Sequence, residues 1–126
     1  MNGNAIQIDV LFSGVPVADL ERSTAWYEQL LGRPADIVVN DNEMMWKIAE
    51  HAWMYVVVDS ERAGRALVAM AVPDLDNVTE AIAARGLDVT SIEILPGAGR
   101  KAYFVDPDGN SIAIIEVIQS DDEAPS

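Results

Sequence analysis

Cysteine is absent from the 126-residue chain, so no disulfide can staple the fold and no thiol can serve as a nucleophile. Nothing in the residue usage marks an oxidising compartment, and the cytoplasm is the expected location. Basic residues are scarce: 8 Lys and Arg stand against 21 Asp and Glu, a net charge of −13. Phosphate backbones need a basic surface, so nucleic acid is not an expected partner. The same imbalance serves solubility and could steer a cationic ligand. No apolar run reaches membrane-spanning length and no charged-then-apolar leader opens the chain, so no membrane partner is expected. Neither a Gly-x-Ser-x-Gly elbow nor a Gly-rich phosphate loop opening a helix occurs.

Half of the residues are hydrophobic and the mean hydropathy is +0.11, values of a globular chain with enough apolar side chains for a core. A single domain over residues 1–119 is expected, followed by an acidic tail, 120–126. Its organisation shows in a repeat. Val15-Pro-Val-Ala-Asp-Leu20 returns as Met70-Ala-Val-Pro-Asp-Leu75, each copy following an apolar run, Ile6–Phe12 and Ala66–Val72. In each copy the Asp is placed to cap a helix. Ser23, Trp26, Tyr27, Leu30 and Leu31 then recur at helical spacing before Gly32; Val78, Ala81 and Ile82 do so before Gly86. On this stripe Trp26 belongs to the core. Three strand-like runs follow each helix: Ile37–Val39, Met44–Ile48 and Trp53–Val58, then Val89–Ile94, Lys101–Val105 and Ser111–Ile118. The pattern predicts an α+β fold of two βαβββ modules, about 5–59 and 65–119, whose curved mixed sheets surround a cavity.

These residues carry a family resemblance. Val15 through Gly32, together with Tyr103-Phe-Val-Asp-Pro-Asp-Gly-Asn110, is similar to the vicinal oxygen chelate superfamily, which includes glyoxalase I, extradiol dioxygenases and the fosfomycin- and bleomycin-resistance proteins. The resemblance implies metal ligands of His, Gln or Glu type on the first and last strands of the modules. Counting from Asp19, Asp74 and Asp106, the corresponding positions here are Phe12, Leu67 and Ala113, none of which can donate to a cation. Glu116 lies three residues beyond Ala113, about 10 Å further and on the opposite strand face. His51, the single histidine, falls in a hairpin loop beside Glu50. Asp106-Pro-Asp-Gly109 is turn chemistry, and Pro96-Gly-Ala-Gly99 reads as a loop over the cavity. No metal, cofactor or catalytic residue is assigned.

The resemblance then implies a binding protein of bleomycin-resistance type, a homodimer holding a planar aromatic or cationic small molecule. With Glu50-His51 as a hairpin tip, Trp46 stands opposite Tyr55 and Ile48 opposite Trp53, on one face. Parity does not decide which face lines the cavity, but the Trp-rich one suits flat ligands. The candidate site is therefore Phe12, Trp46, Ile48, Trp53, Tyr55, Leu67, Arg100 and Ala113, with Arg100 near the cavity mouth as a grip for a carboxylate or phosphate. The competing reading is a glyoxalase-like lyase or dioxygenase-related enzyme with a non-standard site, drawing acid–base groups from Arg100, Tyr55, Tyr103 or Glu43.

Overall fold

Asp19 and Asp74 start the two helices as the repeat predicts. In the computed structural model, which describes residues 5–118, each has extended backbone and a carboxylate accepting from the amide three residues on, Arg22 and Asn77 respectively, both at 3.1 Å. The acidic stretch 120–126 lies outside the described residues. Helix α1 runs Leu20–Leu31 and ends at Gly32, whose positive φ of 81° lets its amide close on the Glu28 carbonyl. Helix α2 runs Leu75–Ala84.

The strands are β1 (Leu11–Val17), β2 (Ile37–Asn40), β3 (Glu43–Ala49), β4 (Ala52–Val58), β5 (Leu67–Ala71), β6 (Ser91–Leu95), β7 (Gly99–Val105) and β8 (Ser111–Val117). They form two four-stranded mixed sheets of the same plan, β1-β4-β3-β2 and β5-β8-β7-β6. The pairs β1–β4 and β5–β8 are parallel and the rest antiparallel. This is the α+β fold of two βαβββ modules.

The first strand departs from the expectation. It begins at Leu11 rather than Ile6, because its ladder with β4 runs from Leu11 opposite Ala52 to Val17 opposite Val58. The pairing carries Pro16 inside the strand. That is tolerable because β1 is the sheet's outer strand, where a missing N–H can face away from the partner.

Alternation along each strand divides the sheets into a face beneath the helices and an open face. Val15, Val17, Trp46, Met54 and Val56 of module 1 are buried on the helix face, with Tyr27 and Leu30 from α1. Ala102, Phe104, Ile112 and Ile114 of module 2, with Leu75 and Ile82 from α2, complete the same core. Helix-face residues of both modules therefore make one continuous apolar interior.

A polar network ties the modules together. Asp106 is buried, and its Oδ1 accepts the backbone amides of Asp108, Gly109 and Asn110. Its Oδ2 accepts the Tyr27 hydroxyl and Asn110 Nδ2, each at 2.8 Å. Asn110 also donates to the Pro16 carbonyl and accepts from Ala66 N, both at 2.8 Å. Every group in this buried set has a partner, which is the condition for a polar interior to be stabilising. Burial and the adjacent Asp106 carboxylate push the Tyr27 phenol far above its ordinary range, so it stays a donor.

Candidate functional site

The β3–β4 hairpin decides which aromatic side chains can meet a ligand. Near its tip Ala49 pairs with Ala52, as expected, but Ile48 is then an extra residue on β3, and the ladder resumes with Lys47 opposite Trp53. One inserted residue moves the following side chains to the other face. Trp46 consequently pairs with Met54 and Met45 with Tyr55.

Three of the expected site residues are placed elsewhere, Trp46 and Ile48 by this register and Arg100 by its place on β7. Trp46 is fully buried on the helix face; its ring centroid lies 6.2 Å from that of Tyr27 and its indole N–H donates to the Arg33 carbonyl at 3.0 Å. Ile48 also packs on the helix side, against the core. Arg100 stands on that face too, at the start of α2, rather than at a cavity mouth. Its guanidinium donates to Asp76 at 3.0 Å and to Glu116 at 3.3 Å. Hydrogen bonds to Asp76 first, and to Glu116, hold its pKa above the usual arginine value. Glu116 faces away from Ala113 as the spacing predicts, and its Oε1 accepts the Leu75 amide at 2.8 Å. The carboxylate serves the first turn of α2, whose orphan N–H groups and dipole favour a negative charge there.

On the open face of sheet 1 the structure brings together Phe12, Trp53 and Tyr55. Phe12 is the direct neighbour of Trp53, and Gly14 of Tyr55, in the parallel ladder. Gly14 is needed for space: a Cβ there would lie 2.6 Å from Tyr55 Cζ and Oη, so the phenol rests on the bare backbone of β1. Beside it is a hollow of about 290 Å³ lined by Gly14, Pro16, Tyr55, Val57, Asp59, Arg62, Arg65 and Ala66. Sequence reasoning missed its far wall, the linker Asp59–Ala66. The one available signal was a pair of arginines in an otherwise acidic chain.

Leu67 and Ala113 belong to the open face of sheet 2, where a second hollow of about 220 Å³ also touches Lys101, Tyr103 and Ser111. Tyr103 Oη donates to Glu93 Oε1 at 2.7 Å, and Lys101 Nζ lies 5.7 Å from the Tyr103 ring centroid. Within one chain both open faces are uncovered, with Phe12 52% and Leu67 86% exposed.

The family follows from the sequence itself: residues 7–114 match the profile of the Glyoxalase/Bleomycin resistance protein/Dioxygenase superfamily. The chain belongs to that superfamily. Among solved structures it is similar to a glyoxalase / bleomycin resistance protein from Catenulispora acidiphila DSM 44928, at 36% identity and TM-score 0.83, over 86% of this chain and 98% of that one. It shares the fold of TnmS3, an antibiotic binding protein from Streptomyces sp. CB03234, at 21% identity and TM-score 0.70, over 93% and 100% of the two chains. The fold is also that of a lactoylglutathione lyase from Agrobacterium tumefaciens, at 18% identity and TM-score 0.70, over 91% and 95%. No curated protein matches the sequence.

Superfamily metal chemistry needs oxygen or nitrogen donors at the strand positions occupied here by Phe12, Leu67 and Ala113. The residues present do not fit a metal. Among the described residues no group of three His, Cys, Asp or Glu side chains could hold an ion. His51 is exposed in the hairpin loop, 3.6 Å from Glu50. Nor is any helix of the described residues long and apolar enough to cross a membrane.

Proposed function

We propose that the protein is a cytoplasmic binder that sequesters a planar aromatic small molecule on the open face of module 1, without a metal ion. The observation that carries this reading is the hairpin bulge. It leaves Trp53, Tyr55 and Phe12 together on an unobstructed face while sending Trp46 to the core. Rigid rings offer large contact area at low conformational cost, and an aromatic pair adds about 0.5–1.5 kcal/mol beyond burial. The antibiotic-binding relative shows that this fold can hold a small molecule, which supports the same use here.

A second copy of the chain would complete the site by laying the open face of its module 2 over that of module 1. Covering a side chain of Leu or Phe size is worth about 1.5–3 kcal/mol, and Phe12 and Leu67 are among the exposed side chains that would gain it. Their places in the repeated plan correspond: Phe12 pairs with Trp53 as Leu67 pairs with Ser111.

Tryptophan fluorescence tests the proposal. Trp26 meets Tyr27 edge-on and Trp46 lies tilted beside it on the helix side, leaving Trp53 as the indole on the open face. Polycyclic aromatic probes are expected to quench the wild-type protein and to lose that effect in Trp53→Phe. A flat response across a panel of such probes would overturn it.

One observation favours a second, enzymatic reading. The Tyr103–Glu93 hydrogen bond beside Lys101 is an acid–base set on the open face of sheet 2. This reading requires turnover of a bound compound that Tyr103→Phe abolishes, measured as product formation rather than binding.

A further inference from the structure

We infer that Arg65, with Arg62 beside it, receives an oxyanion, so that the ligand is a planar aromatic molecule carrying a carboxylate or phosphate group; this rests on the aromatic-binding reading above. The starting point is the distribution of scarce positive charge. The chain has 8 basic residues against 21 acidic ones, yet the hollow beside Tyr55 is lined by two arginines and one carboxylate, Asp59.

The other arginines are already engaged. Arg22 pairs with Asp108 at 3.0 Å, Arg33 with Asp36 at 2.7 Å, and Arg100 with Asp76 at 3.0 Å. Arg85 donates to the carbonyls of Gln29 and Leu30. Arg62 stands 3.6 Å from Asp59, well beyond the 2.7–2.9 Å of a charge-assisted hydrogen bond. The Arg65 side chain makes no hydrogen bond or ion pair among the described residues.

The backbone holds both arginines at the same wall. Arg62 N donates to the Asp59 carbonyl at 3.2 Å, and Arg65 N to the Arg62 carbonyl at 3.3 Å, so the linker turns on itself. Gly64 fixes this turn against module 2: its φ is 85°, and a Cβ would collide with the Asp108 carbonyl. A guanidinium presents a planar fork of donors that matches carboxylate and phosphate. An aromatic body lying on Tyr55 would therefore meet two guanidiniums against the single carboxylate of Asp59 at the linker end.

Net charge alone would favour a cation. At physiological salt, however, charges separated by more than about 8 Å are largely screened, so the groups lining the hollow outweigh the distant carboxylates.

The test uses four naphthalene probes of one shape: 2-naphthoate, 2-naphthyl phosphate, neutral 2-naphthamide and the cation 2-naphthylmethylammonium, titrated against Trp53 fluorescence. At least one anion is expected to bind about tenfold tighter than the amide, as charge-assisted hydrogen bonds allow, and comparison of the two anions tells which oxyanion is preferred. The anion-to-amide ratio is expected to collapse in Arg65→Gln and to shrink in Arg62→Gln, with circular dichroism checking the fold of each. If amide and anions bind equally, if the cation binds tightest, or if the ratio survives Arg65→Gln, the anion subsite is wrong while aromatic binding stands. If no probe perturbs Trp53, aromatic binding fails and the subsite falls with it.

Discussion

The phenol of Tyr55 lies against the backbone of Gly14, with Cζ and Oη 2.6 Å from where a Cβ would be. The clash in Gly14→Ala is with the far end of a side chain, so the ring gives way rather than the strand. Melting is expected to change little, by about 1 kcal/mol or less, as for a substitution outside the core. Probe affinity is expected to fall, because the displaced ring enters the hollow it now borders. Unchanged affinity in that variant would show that Tyr55 is not part of the binding surface.

Two tryptophans in one hairpin are expected to behave oppositely. Trp46→Ala removes a fully buried indole and its hydrogen bond to Arg33, a loss of about 3–5 kcal/mol. Trp53→Ala, on the open face, is expected to cost much less in urea unfolding. Equal losses would mean that the hairpin has the unbulged register after all.

Tyr27 supplies a pH signature. Its folded pKa is raised, whereas the unfolded chain titrates near 10.0. The unfolded state therefore loses this proton first, and stability falls as pH rises past about 10. Tyr27→Phe should lower stability by about 1.5–3 kcal/mol near neutrality, the worth of a hydrogen bond to a charged group. It should also flatten the decline at alkaline pH. An unaltered alkaline slope would remove Tyr27 as its source.

Association is predicted from the exposed Leu67. Sedimentation should find the wild type as a dimer and Leu67→Glu shifted toward monomer with its circular dichroism spectrum preserved, since 86% exposure leaves little intrachain packing to lose. A wild-type protein that sediments as a monomer at micromolar concentration would remove the second copy from the site.

Added divalent metal ions should leave the melting temperature unmoved, because Phe12, Leu67 and Ala113 offer no donor atoms. A stabilisation that saturates with zinc or manganese would reveal a donor set elsewhere in the chain.

Where the fold was legible in the sequence, the signal was local. Asp19 and Asp74 could be read as caps because capping depends on a carboxylate and the next few amides. The strand runs could be read from apolar alternation, and the non-coordinating Phe12, Leu67 and Ala113 from their spacing to those caps. What escaped was set by geometry between distant segments. The bulge at Ile48 has no residue signature, being neither glycine nor proline, yet it puts Trp46 and Tyr55 on opposite faces. Asp106 looked like ordinary turn chemistry because its second oxygen is claimed by Tyr27, far away in sequence. Arg62 and Arg65 lay in a linker where no periodicity marks a wall.

Asn110 reaches back across 94 residues to the Pro16 carbonyl, and Asp106 across 79 to the Tyr27 hydroxyl. During synthesis the amino-terminal half must therefore wait, its phenol without its carboxylate acceptor, until Asp106 has been made. A fragment cut in the linker would carry that deficit permanently, so the halves of this repeat are not interchangeable building blocks but two parts of one cooperative folding event.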